Sequence, residues 1–116
     1  MFVNATVERL PDATAVVTVS GPMTLGTSLR FADSRVQAAI ADGVTRLVFD
    51  LTGVDYVDSA GLGMIVYTYG ILREKNGTVR LCGVAPRVAS LLKLTKSDSF
   101  LPIDAGREES LAAVAQ

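Results

Sequence analysis

The segment Asp58-Ser59-Ala60-Gly61-Leu62-Gly63 holds the residues of this chain best placed to do chemistry. A carboxylate, a hydroxyl and two glycines stand together where a short loop gives way to helical spacing. A helix start exposes backbone N–H groups without partners inside the helix, and the macrodipole makes that end positive. A phosphate carried on Ser59 would therefore be held by backbone donors as well as by charge. Gly61 and Gly63 lack Cβ atoms, which permits a tight turn into the helix and close approach by another surface. On this reading Ser59 is both helix cap and phosphoacceptor. The plainer alternative makes it a cap alone, contributing about 1 kcal/mol, with the glycines serving local geometry. Asp58 either orients the serine hydroxyl and opposes a bound phosphate, or is an acidic residue favoured before a helix start.

The rest of the chemical inventory is sparse. There is no His in the 116 residues, so the chain lacks the usual neutral-pH acid–base group, the commonest zinc ligand and the triad base. A Walker-type phosphate loop needs a glycine-rich run ending in Lys-Ser or Lys-Thr, and none is present. Asp50 and Asp55 read as turn formers rather than metal ligands, and neither a metal nor a cofactor is expected. Eleven basic residues against twelve acidic ones give a formal charge of −1 without blocks of like charge. Nucleic acid and anionic membrane are therefore not expected partners. Arg87, Lys93 and Lys96 read as scattered, solvated charge. The single Cys82, flanked by apolar neighbours, reads as a small buried hydrophobe in a reducing compartment. No span approaches the ~20 apolar residues a bilayer requires, and the amino terminus lacks both a basic start and an apolar stretch. A cytoplasmic location is the expectation.

The elements that must position Ser59 follow from hydrophobic periodicity. Residues 3 to 9 alternate apolar and polar, Leu10 to Ala13 supply a turn, and residues 14 to 20 form a second, β-branched strand antiparallel to the first. A helix capped by Thr27 or Ser28 carries Leu29, Ala32, Val36, Ala39 and Ile40 to a stop at Gly43. Arg46 to Leu51 is too apolar for one-sided burial and reads as an interior strand of a mostly parallel sheet. The loop 52–58 leads to Ser59 and a helix with Leu62, Ile65, Val66, Tyr69 and Leu72 on its inner face. Thr78 to Val84 is the next strand, and Pro86 opens a helix with Val88, Leu91 and Leu92. Phe100 to Ile103 gives a final short strand and Glu108 to Gln116 a last helix. The order predicts one α/β domain over residues 1–116, with a mixed, mostly parallel sheet of four to five strands, an antiparallel N-terminal strand and about four flanking helices. Ser59 then sits at the carboxyl end of an interior strand, where functional groups of parallel sheets collect.

The run from Leu47 to Gly63, with its Asp-Ser-Ala-Gly-Leu-Gly core, is followed by a helix, by Gly77 to Val84, by Pro86-Arg87-Val88 and by a late Leu-rich helix. It resembles the STAS domain of anti-sigma factor antagonists (anti-anti-sigma factors), from about Val16 to Ile103. The resemblance implies a non-enzymatic bacterial regulator that works by partner switching. The unphosphorylated domain would bind an anti-sigma factor that is also a serine kinase, phosphorylation of Ser59 would release it, and a PP2C-type phosphatase would reset the switch. The contact surface implied comprises Met23, Thr24, Asp58, Ser59, Ala60, Gly61, Leu62, Gly63, Met64 and Tyr67. Met64 and Tyr67 fall off the inner face of their helix, so they are expected to be partly exposed or to pack under a neighbouring helix. One position departs from the family pattern: the loop after the second strand reads Gly21-Pro22-Met23-Thr24, without the acidic residue many phospho-switched members carry there. The alternative within the same fold is a scaffold or accessory subunit of a signalling or transport complex in which Ser59 is never modified.

Overall fold

The computed structural model describes residues 2–116. Its elements run β1 (Asn4–Leu10), β2 (Thr14–Ser20), α1 (Thr27–Ala41), β3 (Arg46–Gly53), α2 (Ser59–Glu74), β4 (Thr78–Cys82), α3 (Pro86–Leu94), β5 (Ile103–Asp104) and α4 (Arg107–Val114), with a single 3-10 turn at Ser97–Ser99. The five strands lie in sequence order, β1 antiparallel to β2 and every later pair parallel. This is the predicted α/β architecture.

The interior strands read as continuous apolar runs because helices cover both faces of the sheet. On one face, Ala15, Val17, Leu47, Phe49 and Leu81 meet α1, α2 and α3 through Val36, Ile40, Ile65, Leu72, Val88 and Leu92. Burying side chains such as Phe49 or Leu47 completely stabilises the fold by about 1.5–3 kcal/mol each. The alternate residues Val16, Val48 and Cys82 point the other way and pack under Val114 of α4, with Leu10 and Leu111 at the margin. Cys82 is buried as expected. Burial holds its thiol above the usual range, and the carboxylate of Asp50 adds to the effect.

Polar pairs fasten α4 to this reverse face. Arg80 makes a bidentate pair with Asp104 at 2.7 and 3.0 Å, and the buried Ser110 hydroxyl donates to the same carboxylate at 2.7 Å. The pairing holds Asp104 below the ordinary carboxylate range, Arg80 being the main cause. Arg107 donates to Thr18 at 2.9 Å and lies 3.6 Å from Asp50.

Several boundaries differ from expectation for local reasons. Gly26, not Thr27 or Ser28, occupies the cap position of α1, and no side chain caps it. The Ser28 hydroxyl instead accepts the backbone N–H of Val3 at 3.3 Å. Strand β3 continues to Gly53, two residues beyond the apolar run, while Asp50 Oδ1 accepts from the Thr52 N–H and hydroxyl at 3.1 and 2.6 Å, the local turn bonding expected of it. Strand β4 ends at Cys82, and the last strand is Ile103–Asp104 rather than Phe100 to Ile103. Helix α4 begins at Arg107 and ends at Val114.

Candidate functional site

Two loops meet at the carboxyl edge of the sheet. The loop after β2 runs beside the loop after β3: the Met23 N–H donates to the Tyr56 carbonyl at 3.0 Å and the Asp58 N–H to the Met23 carbonyl at 3.1 Å. Met23 and Val57 thereby form a one-residue parallel bridge beyond the sheet proper. Both side chains are buried, so the bridge is anchored from below.

Helix α2 starts directly after it, and its cap is Asp58. Asp58 has extended backbone and accepts the Gly61 N–H on Oδ1 at 2.9 Å. Oδ2 accepts the Leu25 N–H, also at 2.9 Å. The Leu25 N–H first, and then that of Gly61, hold the Asp58 carboxyl below its ordinary value. Ser59 is therefore the first residue of the helix rather than its cap, which corrects the dual role predicted for it. It is exposed, on the side of the helix start that faces solvent.

Gly61 is buried because it packs directly on the loop after β2. A Cβ there would land on the Met23 carbonyl oxygen and lie 2.7 Å from the Met23 Cβ. Gly63, two residues on, faces open space. The two glycines thus do different work: Gly61 lets α2 dock on its own fold, and Gly63 leaves the outer surface bare.

Of the remaining residues predicted for a contact surface, Thr24, Ala60 and Leu62 are half-buried and Tyr67 is 61% exposed. Met23 and Met64 are buried. Met64 faces inward because α1 packs beside α2, so the buried stripe of α2 is Gly61, Met64, Ile65, Thr68 and Leu72. Sequence reasoning missed Leu25, which is 79% exposed beside the helix start. Its signal was an apolar residue stranded between turn and helix, outside any periodic run.

Two grooves flank Ser59. One, of about 260 Å³ between the starts of α1 and α2, is lined by Leu25, Arg30, Ala60, Met64 and Tyr67. The other, of about 450 Å³ between α2 and α3, is lined by Tyr56, Ser59, Leu62, Arg87, Leu91 and Leu94. Among the described residues, no group of three or more His, Cys, Asp or Glu could hold a metal ion. No helix there is long and apolar enough to cross a membrane.

The pattern of the STAS domain matches residues 4–110, which takes in all five strands, α1 to α3 and the first turn of α4. The chain belongs to the STAS domain family. It is similar to the protein named "Putative anti-sigma factor antagonist BtrV" of Bordetella bronchiseptica, 31% identical over 70% of each chain. The anti-sigma-B factor antagonist of Staphylococcus aureus is 30% identical over 58% of this chain and 62% of its own length. Among solved structures, an anti-sigma factor antagonist from Mycobacterium paratuberculosis superposes with a TM-score of 0.85 at 28% identity, covering 98% of this STAS domain chain and 95% of that one. Relatives of this STAS domain are thus named as regulators that antagonise anti-sigma factors.

Proposed function

We propose that this STAS domain is an anti-sigma factor antagonist that acts by partner switching. In its unphosphorylated form it binds an anti-sigma factor that is also a serine kinase. Phosphorylation of Ser59 releases that partner, and a PP2C-type phosphatase restores the binding form. The observation that carries the reading is that Asp58 does the capping, which leaves the exposed hydroxyl of Ser59 at the first position of α2 for a visiting enzyme.

The surface offered to the partner is Ser59, Thr24, Gly63 and the exposed side chains of Leu25 and Tyr67. An aromatic and a Leu around a bare glycine make an apolar contact of the kind that supplies interface hot spots. A phosphate there adds about −1.5 to −2 charges and three strong acceptors at one point. The donors at the helix start accommodate it, so the fold need barely change, while the interface suffers desolvation and repulsion. A penalty of about 3 kcal/mol already weakens binding more than a hundredfold.

The test mixes the purified chain with anti-sigma factor kinases from its own genome and ATP, and maps phosphate by mass spectrometry. Modification at Ser59, with loss of binding by Ser59→Asp and retention by Ser59→Ala, is expected. An unmodified Ser59 together with unaltered binding by Ser59→Asp overturns the reading and favours an unmodified scaffold.

A further inference from the structure

The groove between α2 and α3 joins the start of one helix to the start of the next, with Ser59 on one wall and Arg87 on the other. Asp58 and Arg87 are the charged side chains that line it. Asp58 is already engaged by the N–H groups of Leu25 and Gly61. Arg87 is not engaged by an anion: among the described residues no carboxylate stands within ion-pairing distance of it. Its guanidinium lies instead over the ring of Tyr56, 5.8 Å from the centroid. Tyr56 belongs to the loop that feeds Ser59 and is itself 45% exposed. The groove therefore has a cation parked on an aromatic ring on one wall and a hydroxyl that carries no charge on the other.

A cation over an exposed ring is weakly held, whereas a guanidinium binds a phosphate through two parallel charge-assisted hydrogen bonds. Arg is the side chain whose planar fork fits that geometry. Resting on the reading of Ser59 as phosphoacceptor, we propose that Arg87 is the internal receiver of its phosphate. On phosphorylation the guanidinium leaves Tyr56, pairs with the phosphoryl oxygens and bridges the starts of α2 and α3 across the mouth of the groove. Phosphorylation then changes the shape of this surface as well as its charge. The groove narrows over Leu62 and Leu91, and the Tyr56 ring is uncovered.

The experiment needs no kinase: phosphoserine is inserted at position 59 during synthesis, in the full chain and in its Arg87→Gln and Arg87→Lys variants. Phosphorus NMR then follows the second ionisation of the phosphate. Asp58, beside it, raises that pKa in all three chains alike, and Arg87 lowers it only where the fork is present. The chain with Arg87 is expected to ionise lower by about half a unit or more than Arg87→Gln, with Arg87→Lys between them. The Tyr56 ring protons should shift on phosphorylation in the native chain and stay fixed in Arg87→Gln. Equal phosphate pKa values in all three chains, or a Tyr56 signal indifferent to Arg87, would overturn the proposal. If a cognate kinase leaves Ser59 unmarked, the switching reading fails while this titration still decides the role of Arg87.

Discussion

The Asp58 carboxylate receives the backbone N–H of Leu25 at 2.9 Å from a loop more than thirty residues away in sequence. Its other oxygen caps α2 through Gly61. One side chain thus fastens the loop after β2 to the helix that carries the serine. Replacing it with Ala should cost roughly 1 kcal/mol or somewhat more, the usual loss for a cap. Urea denaturation gives the stability, and faster hydrogen exchange is expected at the Leu25 and Gly61 amides in particular.

Acid should erode the same device. The carboxyls of Asp58 and Asp104 both lie below their ordinary 3.8 in the folded chain. A depressed folded pKa contributes stability that is present above the unfolded value and is lost as pH falls through the folded one. These groups should therefore leave stability flat above about pH 5 and lower it below pH 4. Urea midpoints measured from pH 2 to 7 would show it, with Asp58→Asn flattening part of the acid limb.

Gly61 and Gly63 should respond oppositely to the same substitution. Gly61→Ala drives a methyl into the Met23 carbonyl and is expected to cost about 2 kcal/mol or more. Gly63→Ala meets nothing and should stabilise the helix by about 0.5–1 kcal/mol. Equal urea midpoints for the two variants would contradict this geometry.

Leu25 and Tyr67 are exposed, so truncating either to Ala should leave thermal stability near that of the native chain. Affinity for an anti-sigma partner, read by calorimetry, is expected to fall about tenfold for each. Unchanged affinity in the double variant would move the docking surface elsewhere.

The Cys82 thiol should be inert in the native chain. It is buried under α4 and its pKa is raised, first by that burial and then by Asp50. A thiol reagent should label it only at the rate at which the chain opens, and a mild denaturant should accelerate the labelling steeply.

Much of this could be read from the residues. The alternation of β1, the β-branched run of β2, the apolar β3 and the Pro-initiated α3 announce their elements locally, whereas the two-residue edge strand β5 is too short to set its own register and fell at Ile103–Asp104. The position of the cap could not be read, because Asp58 and Ser59 are both favoured at a helix start and the deciding partner, Leu25, is distant in sequence. Met23 looked like part of an exposed loop, yet its main chain zips to Tyr56 and Asp58 and draws the side chain under. Met64 looked off-face because helical periodicity knows the sheet beneath a helix but not the second helix beside it. Leu25 and Arg87 acquire meaning only once the loops and helix starts are brought together.

Helix α4 descends the rear of the sheet, and its last turn, at Val114, packs near Leu10 at the amino ends of the parallel strands. Ser59 emerges at the opposite end and on the opposite layer. A fluorophore, a bead or a fused carrier attached after Gln116 would stand diagonally across the molecule from the serine, leaving visiting proteins unobstructed.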